Sequence, residues 1–61
     1  MMHDKFRKER KKNNLRQQEV AQAIGVSRLV YNRIELGKRL PRPEEIKALS
    51  ELFRKPIDYF F

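Results

Sequence analysis

Four side chains between residues 28 and 33 have the types and the spacing needed to recognise bases in duplex DNA. An arginine donates two hydrogen bonds to guanine O6 and N7, an asparagine bonds adenine N6 and N7, and a leucine contacts the thymine methyl group. A helix over residues 28–35 places all four on one side, opposite an apolar side that contains Tyr31 and Ile34. The four are Arg28, Leu29, Asn32 and Arg33. We therefore predict that this helix turns its polar face outward, toward a DNA major groove.

A short joint must hold this helix at a fixed angle to the helix before it. Residues 17–24 predict that preceding helix, because apolar residues such as Val20 and Ile24 fall on one stripe. Gly25 follows at once, where a helix commonly ends in a left-handed residue, and Ser27 is a good N-cap for the next helix. So short a linker is too tight for an antiparallel hairpin, and we predict a sharp crossing of the two helices.

Helical spacing continues over the rest of the chain, and no strand-like alternation persists. The pattern predicts a first helix over His3–Asn13, a fourth that starts near Pro43, and a short fifth that starts after Pro56. We therefore expect an all-α, compact five-helix domain that spans residues 1–61 as a single unit. The three consecutive rings at residues 59–61 cannot all face one core, so at least one should be exposed or covered by a second subunit.

Basic residues are concentrated in the first two thirds of the chain. The 61 residues carry 15 Lys and Arg against 8 Asp and Glu, a formal net charge of +7. Residues 1–42 hold 12 of the basic and 4 of the acidic side chains. A polyanion such as nucleic acid is the natural partner for such a surface. On charge alone, a basic surface with no partner fits equally well.

Composition also excludes several classes of function. The sequence has no cysteine and one histidine, His3, so a disulfide or a zinc site is excluded and we expect neither metal nor cofactor. It contains no nucleophile–base set and no Gly-rich phosphate loop, so we do not predict an enzyme. The basic N-terminus lacks the apolar segment of a signal peptide, and no apolar run approaches the length of a membrane span. We expect a cytoplasmic protein with no membrane contact.

The residues around the joint form a longer pattern: Gln17-Gln18-Glu19-Val20-Ala21 through Ile24-Gly25-Val26-Ser27-Arg28 to Arg33-Ile34-Glu35-Leu36-Gly37-Lys38-Arg39. This pattern resembles the Cro/repressor (XRE-type) helix-turn-helix family, and the likeness runs from about Phe6 to Phe61. It implies a lambda-repressor-like fold and a sequence-specific transcriptional regulator of the repressor type, from a bacterium, an archaeon or a phage. The partner would be double-stranded DNA, bound by a homodimer on an inverted-repeat operator with the two third helices about 34 Å apart.

The resemblance also implies roles for single positions. Base edges would be read by Arg28, Leu29, Asn32 and Arg33. DNA phosphates would be contacted by Gln17, Lys38, Arg39 and Arg42. Gln17 would also brace the first base-reading side chain, and Arg10 would pair with Glu35 to tie the first helix to the end of the third.

Several positions depart from the family pattern. Arg16 stands where a Ser or Thr usually caps helix two, a loss of about 1 kcal/mol, and it puts a cation at the positive end of a helix dipole, so we expect a DNA phosphate there. Tyr31 replaces an aliphatic residue, so either the core is rearranged or the hydroxyl reaches a phosphate. Val30 and Leu36 replace residues that are usually polar, so a contact with the DNA backbone is less expected at each of these two positions. Arg54 stands where glycine often ends helix four, so that turn should differ.

Two other functions fit the same residues. An antitoxin-type protein-interaction module would use this fold to bind both its operator and a protein, although the sequence offers no disordered tail to wrap one. Nonspecific binding to nucleic acid or to an anionic membrane would use the basic first helix. The simplest interpretation of that helix is a solvated cationic face, made of Lys5, Arg7, Lys8, Lys11 and Lys12.

Overall fold

Every regular element between residues 2 and 61, the part of the chain that the computed structural model describes, is helical. Four α-helices follow one another: α1 (Met2–Lys12), α2 (Gln17–Ile24), α3 (Arg28–Glu35) and α4 (Pro43–Phe53). The predicted all-α class is therefore confirmed, and α1 lies one residue earlier than predicted at each end. Over residues 2–61, all of these helices are too short or too polar to cross a bilayer.

The last element is a single 3-10 turn, Ile57–Phe60, so the fold has four α-helices and this turn rather than five helices. Its backbone hydrogen bonds join residues three apart, which gives a tighter turn than an α-helix. That turn carries Phe60 into the core, where its ring centroid lies 5.0 Å from that of Phe6. The next residue, Phe61, is 71% exposed. One of the three consecutive rings thus lies outside the core, as expected.

One apolar cluster holds these elements together, and each of them contributes at least one buried side chain to it. Burying a large apolar side chain stabilises a fold by about 1.5–3 kcal/mol. Tyr31 is fully buried in this cluster, and so is its hydroxyl, which leaves that hydroxyl out of reach of a phosphate in this conformation. The cluster consists of Phe6, Val20, Ala21, Ile24, Tyr31, Ile34, Ile46, Leu49, Phe53 and Phe60.

The joint between α2 and α3 has the predicted backbone. Gly25 ends α2 in the left-handed conformation, with φ 79° and ψ 29°. The Val26 N–H then donates to the Ala21 carbonyl at 3.0 Å, and the Ser27 hydroxyl accepts the Val30 N–H at 3.1 Å. These bonds satisfy backbone groups that the two helix ends would otherwise leave unpaired. The joint is therefore fixed by local chemistry, and it sets the angle at which α3 leaves α2.

The end of α4 uses the same backbone conformation without a glycine. Arg54 is left-handed, with φ 56° and ψ 43°, and the following Lys55 N–H donates to the Ser50 carbonyl at 3.1 Å. The turn therefore keeps the geometry that a glycine would give, contrary to expectation. A residue with a Cβ costs about 1–2 kcal/mol in this conformation.

Replacing Gly25 with alanine should destabilise the fold through backbone conformation alone. A Cβ at Gly25 would meet no atom within 4 Å, so steric overlap contributes nothing, while the left-handed conformation costs about 1–2 kcal/mol. Gly25→Asn should cost less, because asparagine tolerates this region better. Chemical denaturation of the three proteins measures the difference. Equal stability of Gly25→Ala and the wild type would show that the left-handed turn is not required.

Candidate nucleic-acid interface

The outward face of α3 lies opposite the side chains that anchor the helix. Tyr31 and Ile34 are 0% and 1% exposed. The other side carries the predicted base-reading residues Arg28, Leu29, Asn32 and Arg33. Of these, only Asn32 is partly buried, and Leu29 is 59% exposed. The fold thus assembles two cations, an amide and an apolar side chain on one accessible strip, the mixture of groups that a major groove can accept.

A buried ion pair fixes the C-terminal end of this helix. Arg10 Nε donates to Glu35 Oε2 at 2.6 Å, and a second guanidinium nitrogen donates to Oε1 at 3.2 Å. The third nitrogen donates to the Leu15 carbonyl at 3.0 Å. The Glu35 side chain is only 3% exposed and that of Arg10 13%. One guanidinium therefore joins α1, the segment that leads into α2, and the end of α3.

The charge states of this cluster follow from its contacts. Burial acts to raise the pKa of Glu35, but the hydrogen bonds, first among them that from Arg10, outweigh it and hold the pKa below its ordinary value. The same bond raises the pKa of Arg10. Burial, and after it the nearby Glu35 carboxylate, raise the pKa of Tyr31. The Tyr31 hydroxyl has no hydrogen-bond partner among residues 2–61. A neutral ring thus packs beside a fully charged pair.

Gln17, at the first position of α2, reaches both this pair and the outward face. Its Nε2 donates to Asn32 Oδ1 at 3.0 Å and to Glu35 Oε1 at 3.1 Å. The family resemblance predicted that Gln17 braces the first base-reading side chain, Arg28. The side chain that it holds is Asn32, one helical turn further along α3.

Two helices begin with an arginine at the N-cap and a glutamate three residues later. The Arg16 N–H donates to Glu19 Oε1 at 2.7 Å, and the Arg42 N–H donates to Glu45 Oε1 at 2.9 Å. Arginine has no acceptor, so only the glutamate half of a capping box forms. That half offsets part of the loss expected from the missing Ser or Thr at Arg16. Both arginine side chains remain exposed and lie next to the positive ends of α2 and α4.

Of the cations that follow α3, Arg39 already forms an ion pair within the protein. Arg39 donates to both carboxylate oxygens of Glu45, at 2.8 and 3.2 Å, and the Glu45 side chain is 7% exposed. The bond from Arg39 is the main cause of a lowered pKa at Glu45. Lys38, by contrast, is exposed. The structure therefore brings Lys38 and Arg42 to the surface as predicted phosphate contacts, whereas Arg39 would have to share its guanidinium with Glu45.

Two cations of α1 adjoin this surface, although the sequence pattern is typical of a solvated face there. Arg7 and Lys11 line one cleft with Gln17, Asn32 and Leu36. Both are exposed. They are four residues apart and lie on either side of Arg10 in sequence, so they share the side of α1 that the ion pair turns toward α3. That spacing was the signal available in the sequence. No group of three or more His, Cys, Asp or Glu within residues 2–61 could hold a metal ion.

Nearly the whole chain matches a known protein family. The sequence matches the family described as Helix-turn-helix over residues 6–60. The chain belongs to the Helix-turn-helix family. The matched residues include α2, the joint at Gly25 and α3, and they extend on either side into α1 and the 3-10 turn. No curated protein matches the chain in sequence.

Two solved structures of the P22 c2 repressor resemble this Helix-turn-helix domain in three dimensions. The crystal structure of that repressor in complex with synthetic operator 9T superposes with a TM-score of 0.94, at 30% identity, over 100% of this chain and 92% of the repressor chain. The solution structure of the DNA-binding domain of the same repressor gives a TM-score of 0.91, at 30% identity, over 98% of this chain and 79% of that one. The similarity therefore extends over nearly all of this chain rather than over the two central helices alone.

Replacing Glu35 with glutamine should destabilise this Helix-turn-helix domain in a pH-dependent way. Removing one partner leaves the Arg10 cation buried and uncompensated, which we expect to cost about 2–4 kcal/mol at pH 7. The pKa of Glu35 is lowered on folding, so its contribution is complete above its unfolded pKa of about 4.3 and is lost as the pH falls through the folded value. The gap between wild type and Glu35→Gln should therefore shrink below about pH 4. Urea denaturation between about pH 7 and pH 2 measures it.

The exposed Glu51 provides the matched control for this experiment. Glu51→Gln makes the same chemical change without a buried partner, and it should leave the stability within about 0.5 kcal/mol of the wild type. A gap for Glu35→Gln that stayed constant down to about pH 2 would mean that the carboxylate does not titrate with folding.

Proposed function

We propose that the chain is a sequence-specific double-stranded DNA-binding protein that acts as a transcriptional repressor by inserting α3 into the major groove. The observation that carries this proposal is the two-sided character of α3. Tyr31 and Ile34 are buried while the opposite side presents the four predicted base-reading residues. The likeness to a repressor solved in complex with its synthetic operator supports the same function. Occupying a promoter in this way would block transcription.

The proposal includes a homodimer on an inverted-repeat operator. Two third helices must lie about 34 Å apart to enter successive major grooves on one side of the duplex, and this requires two copies of the chain. Ile57 and Phe61 at the end of the fold are 43% and 71% exposed. Apolar side chains so exposed support a contact with a second copy. The residues 1–61 act, in this proposal, as one non-enzymatic DNA-binding domain in the cytoplasm, where its DNA target lies.

Phosphate contacts would surround the base-reading face. The amide of Gln17 contacts α3 at Asn32, Arg16 precedes Gln17, and Lys38 and Arg42 follow α3 in sequence. The sequence-predicted contact at Arg39 requires its guanidinium to bind Glu45 and a phosphate together. We add Arg7 and Lys11 of α1 to this set, because both line the cleft that opens beside Asn32. Each cation that neutralises a phosphate contributes about one unit to the salt dependence of binding.

Selection of bound sites from random duplex DNA tests the function directly. Recovery of one site with two inverted halves, spaced by about 10 base pairs, is the expected result. Binding measurements on the selected site then distinguish residues that read bases from residues that contact phosphates. Arg28→Ala should cost about 1–3 kcal/mol and relax the preference at one base pair, whereas Lys38→Ala should weaken binding to every sequence alike and reduce the salt slope by about one. Identical behaviour of the two variants on selected and random DNA would refute the assignment of Arg28 to base reading.

The added role of α1 has its own test, which compares two lysines of the same helix. Lys11 lines the cleft beside α3 and Lys12 does not, although both are exposed. Lys11→Ala should reduce the slope of log K against log salt concentration by about one, with no change in base preference. Lys12→Ala should reduce it by much less. Equal reductions in the two variants would indicate general attraction by α1 rather than a phosphate contact at Lys11.

A further inference from the structure

Asn32 differs from the other predicted base-reading residues in that the protein already holds its polar group. Arg28 and Arg33 are exposed, whereas Asn32 is partly buried and accepts a hydrogen bond from Gln17 at 3.0 Å. That bond is the last in a chain. Arg10 donates to Glu35, Gln17 donates to the same carboxylate, and Gln17 also donates to Asn32. The outermost group of this chain lies on the face that we propose to enter the DNA.

The chain of bonds determines which end of the Asn32 amide points outward. A carboxylate accepts hydrogen bonds and donates none, so the Gln17 group that faces Glu35 must be its NH2. Nε2 carries two hydrogens, and the second is directed to Asn32. The Asn32 atom that receives it must be an acceptor, which is Oδ1. The Asn32 NH2 group is therefore directed away from Gln17. The buried charge of Glu35 thus sets the orientation of a surface amide through one intermediate side chain.

We propose that Gln17 is a specificity-determining residue, because it fixes the Asn32 amide with its NH2 group outward and so makes Asn32 select a base that presents an acceptor in the major groove. Guanine presents O6 and N7, adenine presents N7, and thymine presents O4, whereas cytosine presents only its N4 amino donor. An asparagine that is free to rotate its amide by 180° accepts any of the four. Held by Gln17, Asn32 disfavours cytosine. This inference rests on the proposed function, since it names the bases that α3 prefers at one position.

Three variants test the inference on the selected DNA site. Asn32→Ala first locates the base pair at which preference depends on Asn32. Affinities for all four bases at that position are then measured for the wild type, Gln17→Met and Asn32→Asp. Methionine has nearly the shape of glutamine but cannot donate, so Gln17→Met frees the Asn32 amide. Gln18→Met is the matched control, because Gln18 is the exposed neighbour on the same helix.

The wild type and Gln18→Met should disfavour cytosine by about tenfold, the value of one well-placed base contact. Gln17→Met should reduce that ratio to about twofold and leave the preferences read by Arg28 unchanged. If Gln17→Met also loses a phosphate contact, binding to all four sequences weakens by the same factor. That factor cancels in the ratio of affinities between cytosine and the other bases. Asn32→Asp keeps an acceptor for Gln17 but presents an acceptor to the DNA as well, so it should reverse the ranking in favour of cytosine.

The outcomes separate this inference from the function on which it rests. A wild-type protein without base preference at any position would overturn both. Preference at the Arg28 position, together with a cytosine ratio that Gln17→Met leaves unchanged, would overturn the inference alone. The same conclusion would follow if Asn32→Asp kept the wild-type ranking. A melting temperature for each variant shows that the compared proteins are folded.

Discussion

The arrangement of α1, α2 and α3 depends on the carboxylate of Glu35. It accepts hydrogen bonds from Arg10 of α1 and from Gln17 of α2 while it belongs to α3. Removing a carboxylate from water is costly, and the attraction of its partners offsets that cost only when the geometry is good. The net stability that the intact pair adds is therefore smaller than the loss caused by removing one partner. Apolar packing holds the helices together, and Glu35 defines how they are aligned.

The cations of this chain differ in function because they differ in partner. Arg10 and Arg39 each donate two hydrogen bonds to a buried glutamate, which commits the planar guanidinium to a carboxylate of matching shape. Arg28, Arg33 and Lys38 are exposed and keep their charge for a ligand. This division depends on burial and on the available partner rather than on net charge.

The sequence predicts the parts of this structure that local chemistry decides. The bounds of α2 and α3 follow from Gly25, Ser27 and a stripe of apolar residues, and these were right to the residue. Contacts between residues that are distant in sequence were harder to predict. Nothing near Gln17 in sequence reveals that its amide lies between Asn32 and Glu35, and the Arg39–Glu45 pair depends on how the chain turns before α4. The burial of the Tyr31 ring followed from its side of α3, but the position of its hydroxyl depended on how the other elements pack around it. The composition of the outward face was predictable, but the orientation of its groups was not.

The two arginine N-caps show how local and distant constraints combine at one kind of position. A serine cap folds its side chain back onto the helix start and satisfies a backbone N–H there. At Arg16 and Arg42 that task is left to a glutamate in the first turn, which binds the backbone N–H of the cap residue instead. The first N–H groups of a helix have no intrahelical partner, and the arginine adds an exposed cation beside the positive end of the helix dipole. A phosphate complements both features at once. In the proposed complex, an arginine at the cap would therefore give up part of the stability of a serine cap and attract a phosphate.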